Sequence, residues 1–442
     1  MLEKFFKLSE FNTNLKQEFI GGSTTFLTMA YIIFVQPSVL SAAGMDFGAV
    51  MVATCISSAV AIVIMGFYAR YPIALAPGMG QNFFFAYTVV LTMGISWQTT
   101  LGVVFVAGFI FIILSFFGIR EKIINAIPES LKHAIAVGIG LLITLVGLEW
   151  AGLVVDHPVL LVSLGDFSEA TTQLALFGLI LTSVLLVNNV RGAMLIGILM
   201  TTLIGVLTGL ISYTGIVSSP PSLEPTFLKL DIIGALQFDL IVIVFTFLIL
   251  DLFDTIGTLI GVASEAGLLK DGKLPRAKKA LLSDAVGTVI GAIFGTSTVT
   301  SYVESAAGVA SGARTGLANV FTAVLFIIAL FFYPLIQMIG GGIEVGDGLF
   351  RYPAIAPILI LVGTYMIRGV RKIPWDDLSE SIPAFITIII IPFSFRITEG
   401  IAFGFISYTL LKLFSGKRKE VPVLMWIIAL IFMLRYIFIG TV

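Results

Sequence analysis

Charged residues and cysteine are scarce in this sequence. Lys, Arg, Asp and Glu make up only 12% of its 442 residues, whereas a soluble domain carries about 25%. A soluble fold of this length could not cover its surface with so few charges, which excludes the soluble classes. The single cysteine, Cys55, excludes an intrachain disulfide, and a net charge of −1 gives no indication of nucleic-acid binding. The two histidines, His133 near the end of a predicted span and His157 in a loop, do not suggest a metal site.

Long hydrophobic runs are abundant instead, and 58% of the residues are hydrophobic. In a lipid bilayer every backbone polar group must be satisfied within the protein, which leaves helices or a closed barrel. Barrel strands alternate apolar and polar residues over about 10 positions, whereas the runs at 101–117 and 320–332 are apolar for longer. The sequence therefore predicts an all-α polytopic membrane protein.

The apolar runs divide the chain into fourteen candidate transmembrane segments. In order they cover residues 20–42, 48–67, 73–92, 97–117, 127–148, 172–188, 191–212, 239–262, 280–296, 298–312, 316–339, 352–367, 381–396 and 398–414. A fifteenth apolar stretch, 421–440, is left over.

Basic residues favour a cytoplasmic N-terminus, because alternate loops then carry Lys and Arg as the positive-inside rule requires. These basic positions are Arg120, Lys122, Arg191, Arg314 and those within 270–279, 368–372 and 412–419. The loop 155–171, on the opposite side, carries acids but no Lys or Arg. Since Lys419 also falls inside, the number of spans before it is even, and fourteen fits. The stretch 421–440 is then an interfacial helix or a short re-entrant piece. We expect a multi-pass protein of the cytoplasmic membrane.

Two of these segments, the third and the tenth, are unlike ordinary membrane helices. Pro77 and Gly78 interrupt the third, and the β-branched run Thr298, Val299 and Thr300 disfavours helix in the tenth. Each is the third segment of a seven-segment half, and an odd number of spans per half inverts one half relative to the other. Interrupted segments in matching positions are a sequence pointer to a transporter binding site. We predict a seven-plus-seven inverted repeat with a short extended strand in each of these segments.

Three acidic residues lie within predicted spans. Asp251 and Asp254 are in the eighth segment, where a spacing of three favours one helix face, and Glu304 follows the extended part of the tenth. Each such residue costs about 2.5–3.5 kcal/mol on insertion scales, so a function or a partner is expected. The alternative for either Asp is a structural role, in which it caps a broken helix or accepts hydrogen bonds from Ser and Thr.

Polar residues in neighbouring segments complete the candidate site. Gln81 and Asn82 occupy the position in the third segment that matches Glu304, Thr25 lies in the first segment, and Asp284 begins the ninth as a helix N-terminus or supporting residue. No Lys or Arg lies within the spans near the acids, so they are expected to hold protons. Protonatable acids suit proton coupling and a neutral heterocycle or amide with N–H donors, and they would repel an anion.

Four sequence motifs resemble those of the AzgA-like purine permeases, the adenine/guanine/hypoxanthine branch of the nucleobase/cation symporter (nucleobase-ascorbate transporter-like) superfamily. The motifs are TTFLTMAYII at 24–33, APGMGQN at 76–82, DLFDTIGT at 251–258 and GTSTVTSYVESAAG at 295–308. The loop KLPRA at 273–277 also matches the bacterial members. The resemblance covers the chain from about residue 10 to 440.

The resemblance implies a core domain of segments 1–4 and 8–11 and a gate domain of segments 5–7 and 12–14. On this division the core domain comprises residues 1–118 and 236–345, and the gate domain comprises 119–235 and 346–442 with the C-terminal apolar stretch. A homodimer through the gate domain, as in related folds, is left open.

The resemblance also implies a purine site with Asp254 and Glu304 as the main contacts and Asn82 reading one edge of the base. Asp251 is ranked behind Asp254, and Thr258 stands where related uracil carriers have a histidine. The candidate substrate-binding residues are Thr25, Gln81, Asn82, Asp251, Asp254, Thr258, Ser301 and Glu304. The candidate proton-coupling residues are Asp251, Asp254 and Glu304. No metal or other cofactor is expected.

These predictions combine into a proton-coupled importer of purine nucleobases, with guanine and hypoxanthine favoured over adenine. The alternatives are a carrier of the same fold for uracil or xanthine, or for a small anion. An integral-membrane enzyme would require a nucleophile–base pair or a metal cluster, and neither histidine is placed for one, so we expect no enzymatic activity.

Overall fold

The computed structural model describes residues 2–117, 127–269, 274–346 and 349–438, which are mainly helical. The α-helices are α1 (Leu2–Phe6), α2 (Leu15–Met29), α3 (Ile32–Ala42), α4 (Phe47–Ile64), α5 (Met79–Phe83), α6 (Trp97–Phe116), α7 (Glu129–Trp150), α8 (Ala170–Val187), α9 (Ala193–Leu207), α10 (Ile232–Ala235), α11 (Ile241–Glu265), α12 (Ala277–Phe294), α13 (Ser305–Ala310), α14 (Leu317–Ala329), α15 (Tyr333–Gly340), α16 (Ala356–Met366), α17 (Leu378–Ser394), α18 (Ile397–Phe414) and α19 (Val423–Phe438).

Short strands form three antiparallel pairs in the same ranges. They are β1 (Leu75–Pro77) with β4 (Val299–Ser301), β2 (Val154–His157) with β3 (Leu161–Leu164), and β5 (Ile343–Gly346) with β6 (Leu349–Arg351). Several positions used for the sequence-based orientation and for the domain boundary at 118/119 lie outside the described residues, namely Arg120, Lys122, Lys270 and Lys273.

Eight helical stretches in the described part of the chain are long and apolar enough to cross a membrane. They are Leu15–Ala42, Phe47–Ala69, Trp97–Phe116, Glu129–Trp150, Ala170–Val187, Ile241–Ser264, Leu317–Gly340 and Ile397–Phe414. Three shorter apolar helices are Ala193–Leu207, Leu378–Ser394 and Val423–Ile437. A helix of 15 residues, such as α9, is about 22 Å long and does not by itself match a hydrocarbon core of about 30 Å.

The strands β1 and β4 lie within the two interrupted segments and pair with each other. Leu75 is opposite Ser301, Ala76 opposite Thr300, and Pro77 opposite Val299. Every strand residue is buried, so the extended backbone is covered by protein, as membrane depth requires. Helix follows β1 directly, because α5 begins at Met79 and a π-helical segment covers Phe84–Thr92.

The helices pack in two groups on either side of a cavity. In one group α2, α4 and α6 contact α12 and α14. In the other α7 contacts α16, α17 and α18, while α8 contacts α9 and α16. Close approach in the first group depends on glycine: a Cβ at Gly308 of α13 would lie 1.9 Å from Thr25 Oγ1 of α2. The two groups meet where α5 and α11 face α7 and α16.

The C-terminal stretch forms a helix that runs back along α18. Lys412 at the end of α18 donates to Glu420 (2.7 Å) just before α19, and Arg435 near the end of α19 pairs with Glu399 (2.9 Å) near the start of α18. The rings of Phe405 and Phe432 lie between these contacts, with centroids 6.4 Å apart. The helix α19 is therefore packed antiparallel to α18.

Candidate substrate-binding site

A cavity of about 540 Å³ lies between the two helix groups, beside the β1–β4 pair. Its inner wall is formed by polar residues of several elements, namely Tyr31, Gly78, Gln81, Asp254, Thr258, Ser301, Tyr302 and Glu304. Its other end is lined by Glu129, Lys132 and His133 at the start of α7, and its far wall by Val362, Tyr365 and Met366 of α16.

Glu304 enters the cavity wall immediately before α13. Tyr31, in the break between α2 and α3, donates its hydroxyl proton to Glu304 Oε1 at 2.5 Å. Thr28 Oγ1 donates to the backbone carbonyl of Glu304 at 3.3 Å. One hydroxyl orients the carboxyl group and another holds its backbone, so the remaining carboxylate oxygen of Glu304 is positioned by helix α2 and the break after it.

Asp254 and Gln81 form the second polar pair of the cavity. Asp254 is exposed to the cavity from α11, and Gln81 Nε2 of α5 lies 3.4 Å from Asp254 Oδ2. Gln81 Oε1 and Ser301 Oγ have no hydrogen-bond partner among the described residues. A carboxylate, an amide oxygen and a hydroxyl are thus left available to a molecule in the cavity. Each can accept a hydrogen bond.

Asp251 does not line the cavity, although it lies only three residues from Asp254. A spacing of three corresponds to about 300° around a helix, which leaves the two side chains about 60° apart. Asp251 is fully buried and lies 3.5 Å from Thr255 Oγ1. Asp254 thus lines the cavity and Asp251 lies behind its wall, and a role of Asp251 in binding stays a prediction.

Thr255 joins two helices and strand β4 through its hydroxyl. It donates to Asp284 Oδ1 at 2.7 Å and lies 2.8 Å from Thr300 Oγ1. Because the single proton of Thr255 is given to Asp284, Thr300 must be the donor of the second bond. Asp284 is in the middle of α12, which begins at Ala277; its expected place at a helix N-terminus is wrong, because the helix starts before the apolar run.

Asn82 and Thr25 also lie outside the cavity lining. Gln81 lines the cavity and its neighbour Asn82, about 100° further around the helix, does not. Asn82 accepts from Ser297 Oγ, which also receives a bond from Gln36 Nε2 (3.1 Å). Thr25 is buried against Gly308. The structure therefore places Gln81, Asp254, Thr258, Ser301 and Glu304 in the cavity wall, and Thr25, Asn82 and Asp251 behind it.

Two tyrosines of the cavity were not selected from the sequence. Tyr31 donates to Glu304, and Tyr302 Oη donates to the carbonyl of Pro77 at 2.5 Å, which ties the end of β1 to the residue after β4. Tyr31 lies within the motif at 24–33. Tyr302 lies within the motif at 295–308, between the predicted site residues Ser301 and Glu304. Their position inside those motifs was the available signal.

The electrostatics of the cavity suit a neutral hydrogen-bond donor. Among the described lining residues Lys132 is the cation, and it is paired with Glu129 at 2.7 Å at the far end. The inner end carries Asp254 and Glu304. An anion placed there would meet two acidic groups without a nearby basic one. The described residues contain no group of three or more His, Cys, Asp or Glu side chains that could hold a metal ion.

Comparison with known proteins identifies the family. The Xan_ur_permease profile, described as a permease family, matches residues 16–403. The chain is 46% identical to the guanine/hypoxanthine permease PbuG of Bacillus subtilis, covering 99% of this chain and 100% of that protein. It is 43% identical to the adenine permease AdeP of Escherichia coli, covering 99% of this chain and 96% of that protein.

The fold is that of a known class of membrane transporters. The transmembrane domain of the cyanobacterial bicarbonate transporter BicA superposes with a TM-score of 0.66 over 87% of this chain and 97% of that domain, at 16% sequence identity. At this identity the likeness concerns the fold alone. Together with the apolar helices and the profile match, it establishes a multi-pass membrane protein. The chain belongs to the Xan_ur_permease family, the nucleobase permeases indicated by its sequence motifs, and is a transporter and not an enzyme.

Proposed function

We propose that this chain imports purine nucleobases by proton symport, with guanine and hypoxanthine as its preferred substrates. The observation that carries the proposal is that Glu304 and Asp254 lie in the wall of one cavity, where the amide of Gln81 is within hydrogen-bond distance of Asp254. A purine presents ring N–H groups to acceptors and ring nitrogens or a 6-oxo group to donors. The carboxylates can accept hydrogen bonds and the amide of Gln81 can accept or donate them, so together they match the donors and the acceptors of a purine.

Adenine is the alternative purine. Gln81 can present its amide NH₂ group to a 6-oxo group or its oxygen to a 6-amino group by a flip of the amide. Relatives named for each preference have similar identity to this chain, 46% for the guanine/hypoxanthine permease and 43% for the adenine permease. We rank guanine and hypoxanthine first on that small difference. Competition of labelled hypoxanthine uptake by unlabelled guanine and adenine tests the ranking, and stronger competition by adenine would reverse it.

We propose that the acids of the cavity also carry the coupled proton. An acidic group in a cavity closed to water favours its neutral form, so it can take a proton from outside and release it when the cavity opens inward. Asp254 and Glu304 are the candidates in contact with the cavity. Asp251 is a further candidate that does not line the cavity; it contacts Thr255, whose hydroxyl also bonds to Asp284.

We further propose the fourteen-segment, seven-plus-seven inverted repeat, with the N-terminus in the cytoplasm. Pairing of β1 with β4, each followed by a short helix, supports the repeat, and the two helix groups support a core domain (1–118 and 236–345) and a gate domain (119–235 and 346–442). Movement of one group against the other would expose the cavity to each side in turn. We also propose that two copies of the chain form a homodimer through their gate domains.

An uptake assay on Glu304→Gln tests the site. Purine uptake should fall to background in cells lacking other purine carriers, with the amount of protein in the membrane checked. Glu129→Gln is the matched control, because it removes a carboxylate from the far end of the same cavity, where that side chain is 74% exposed. Undiminished uptake by Glu304→Gln would overturn the role of Glu304.

Carriers of uracil, xanthine or a small anion remain the rival functions within this fold. The acids of the cavity argue against an anion, because no basic side chain among the described residues lines its inner end. Uptake of labelled uracil and labelled xanthine, measured beside that of labelled hypoxanthine, distinguishes these carriers. Uptake of uracil without uptake of hypoxanthine, guanine or adenine would refute the purine assignment and leave the nucleobase class intact.

A further inference from the structure

A second cavity, of about 330 Å³, lies away from the substrate site, at the end of the first helix group that carries the N-terminus. Three chain segments that are far apart in sequence meet there: the N-terminal residues, the turn after α4, and the turn before α12. Basic side chains from all three line it, namely Lys7, Arg70 and Arg276. By the sequence-based orientation all three segments are cytoplasmic.

Aromatic rings hold the two guanidinium groups. Arg70 Cζ lies 4.5 Å above the ring of Phe5, and Arg276 Cζ lies 4.4 Å above the ring of Tyr71. Arg276 also donates from Nη2 to the carbonyl of Arg70 at 3.4 Å, and its backbone N–H donates to Tyr71 Oη at 3.0 Å. Stacking occupies the faces of a guanidinium group and leaves N–H donors at its edges. The two guanidinium groups are thus fixed in place and keep N–H donors available for a ligand.

The charge of this cavity is not balanced by the described residues. Glu10 is the acidic residue in its lining, and both its oxygens bind Lys7, at 2.9 and 3.0 Å. Neither Arg70 nor Arg276 has a carboxylate partner in the described part of the chain. Arg70 moreover has a left-handed backbone, with φ of 59°, a conformation that costs free energy for a residue other than glycine. Among the described residues the cavity thus holds two fixed arginines without an acidic partner, an arrangement that suits an anion.

Phosphate is the anion that this geometry suits best. A phosphate group accepts two parallel N–H bonds from each arginine fork, and the cavity volume of about 330 Å³ admits such a group. The surrounding surface carries exposed aromatic side chains, Phe67 and Tyr68, of the kind found at membrane–water interfaces. The cytoplasmic leaflet presents anionic phosphate headgroups at that level. We propose that Arg70 and Arg276 form a binding site for a phosphate group, as carried by an anionic lipid or by free phosphate.

Binding can be measured on the purified full-length protein in a zwitterionic detergent. The unfolding temperature is followed during titration with inorganic phosphate at constant ionic strength, and separately with short-chain phosphatidylglycerol against short-chain phosphatidylcholine. A ligand that binds only the folded state raises the unfolding temperature. For the wild type we expect a saturable rise with phosphatidylglycerol, with inorganic phosphate, or with both.

Variants then locate the site. Arg70→Gln and Arg276→Gln should each weaken the apparent affinity at least about tenfold, since each loses one charged, two-donor contact. Arg276→Lys keeps the charge without the fork and should also bind more weakly, which covers the case in which a neutral variant is unstable. Arg368→Gln is the control, because that exposed arginine also lies over a ring, Tyr365 at 5.1 Å, but outside this cavity.

The outcomes separate the two sources of phosphate and the failure of the proposal. A response to phosphatidylglycerol alone assigns the site to a lipid headgroup, and a response to inorganic phosphate assigns it to the free anion. No saturable response to either, or an equal response in the wild type and in all the arginine variants, would overturn the site. Purine uptake is not part of the readout, so this result stands apart from the proposed transport function.

Discussion

Tyr31 and Glu304 lie 273 residues apart in sequence and share a short hydrogen bond in the wall of the substrate cavity, 2.5 Å between Tyr31 Oη and Glu304 Oε1. The bond joins the break in the first helical stretch to the residue before α13. It fixes the carboxyl group that the proposed mechanism uses to hold a purine. The tyrosine is thus a positioning residue for the acid.

Removal of that hydroxyl should weaken substrate binding without abolishing transport. A hydrogen bond to a charged group contributes about 1.5–3 kcal/mol, which corresponds to roughly a 10–100-fold change in affinity. We expect Tyr31→Phe to raise the KM for purine uptake by such a factor, measured beside Glu304→Gln. If KM is unchanged while the maximal rate falls, Tyr31 acts in the conformational change and not in positioning Glu304.

Gly78 should be essential for the placement of Gln81. A Cβ at Gly78 would lie 2.2 Å from Gln81 Oε1 and 2.7 Å from Thr300 Cγ2, so Gly78→Ala must displace the amide from Asp254. We expect at least about a tenfold loss of purine affinity, the size of one good hydrogen bond. Gly257→Ala is the matched control in the same cavity wall, because a Cβ there meets no atom within 4 Å. Equal losses in both variants would show that steric filling of the cavity, and not Gln81, accounts for the effect.

Thr255 should matter for coupling more than for binding, because its hydroxyl contacts Asp284, Thr300 and Asp251 but does not line the cavity. Thr255→Val keeps the side-chain volume and removes the hydroxyl. We expect purine exchange across the membrane to persist, while accumulation driven by a proton gradient falls at least about fivefold, the loss of about 1 kcal/mol of coupling. Thr246→Val is the control on the same helix, where the hydroxyl donates to the carbonyl of Val242 in its own helix. Full accumulation in Thr255→Val would exclude this network from coupling.

Lys412 should be important for stability at the end of α18. Its side chain is 1% exposed, and its ammonium group contacts Glu380 and Glu420, each at 2.7 Å. Lys412→Met leaves Glu380 largely buried without its cation, and breaking a buried pair costs about 3–5 kcal/mol; the partial exposure of Glu420 lowers that figure. We expect a clear drop in the unfolding temperature. Lys417→Met, which removes a lysine that is 40% exposed, should change it little, and a similar drop in both would contradict the buried-pair account.

The antiparallel packing of α19 on α18 predicts where the chain ends. A helix that begins beside Lys412 and reaches Glu399 with Arg435 has crossed the depth that α18 crosses. The C-terminus should therefore lie on the opposite side of the membrane from residues 415–420. Labelling of a cysteine placed at Ser415 and of another after Val442 by an impermeant thiol reagent, in a Cys55→Ser background, checks this. Labelling from the same side would mean that α19 does not span.

Sequence alone located the acids of the cavity but not the direction of every side chain. Residues whose placement follows from a chain break, such as Glu304 after β4, were assigned to the cavity side of their segment, and Asp254 and Ser301 also line it. Asn82 is predicted from its matching position in the third segment and from the resemblance, and Asp251 from its spacing to Asp254; neither lines the cavity. The angle at which a helix presents a residue to a cavity is set by packing against its neighbours, which the spacing of polar residues does not contain.

The short helices show that the sequence alone also predicts the fold incompletely. Apolar length identified the segments, but α9 and α17 are shorter than a full span, and the direction of α19 depends on the pairing of Arg435 with Glu399. That pair joins residues 36 positions apart across a hairpin. Charge counting along the loops cannot detect this pair, because it treats each segment by itself.

Proton movement on addition of purine tests the central proposal most directly. Wild-type protein in proteoliposomes, with a pH-sensitive dye outside, should take up protons when hypoxanthine or guanine is added, and the external pH should rise. Glu304→Gln in matched vesicles should give no such rise. Uptake of labelled purine by the wild type without any change of external pH would contradict proton symport, and an equal pH rise in both proteins would contradict the role of Glu304.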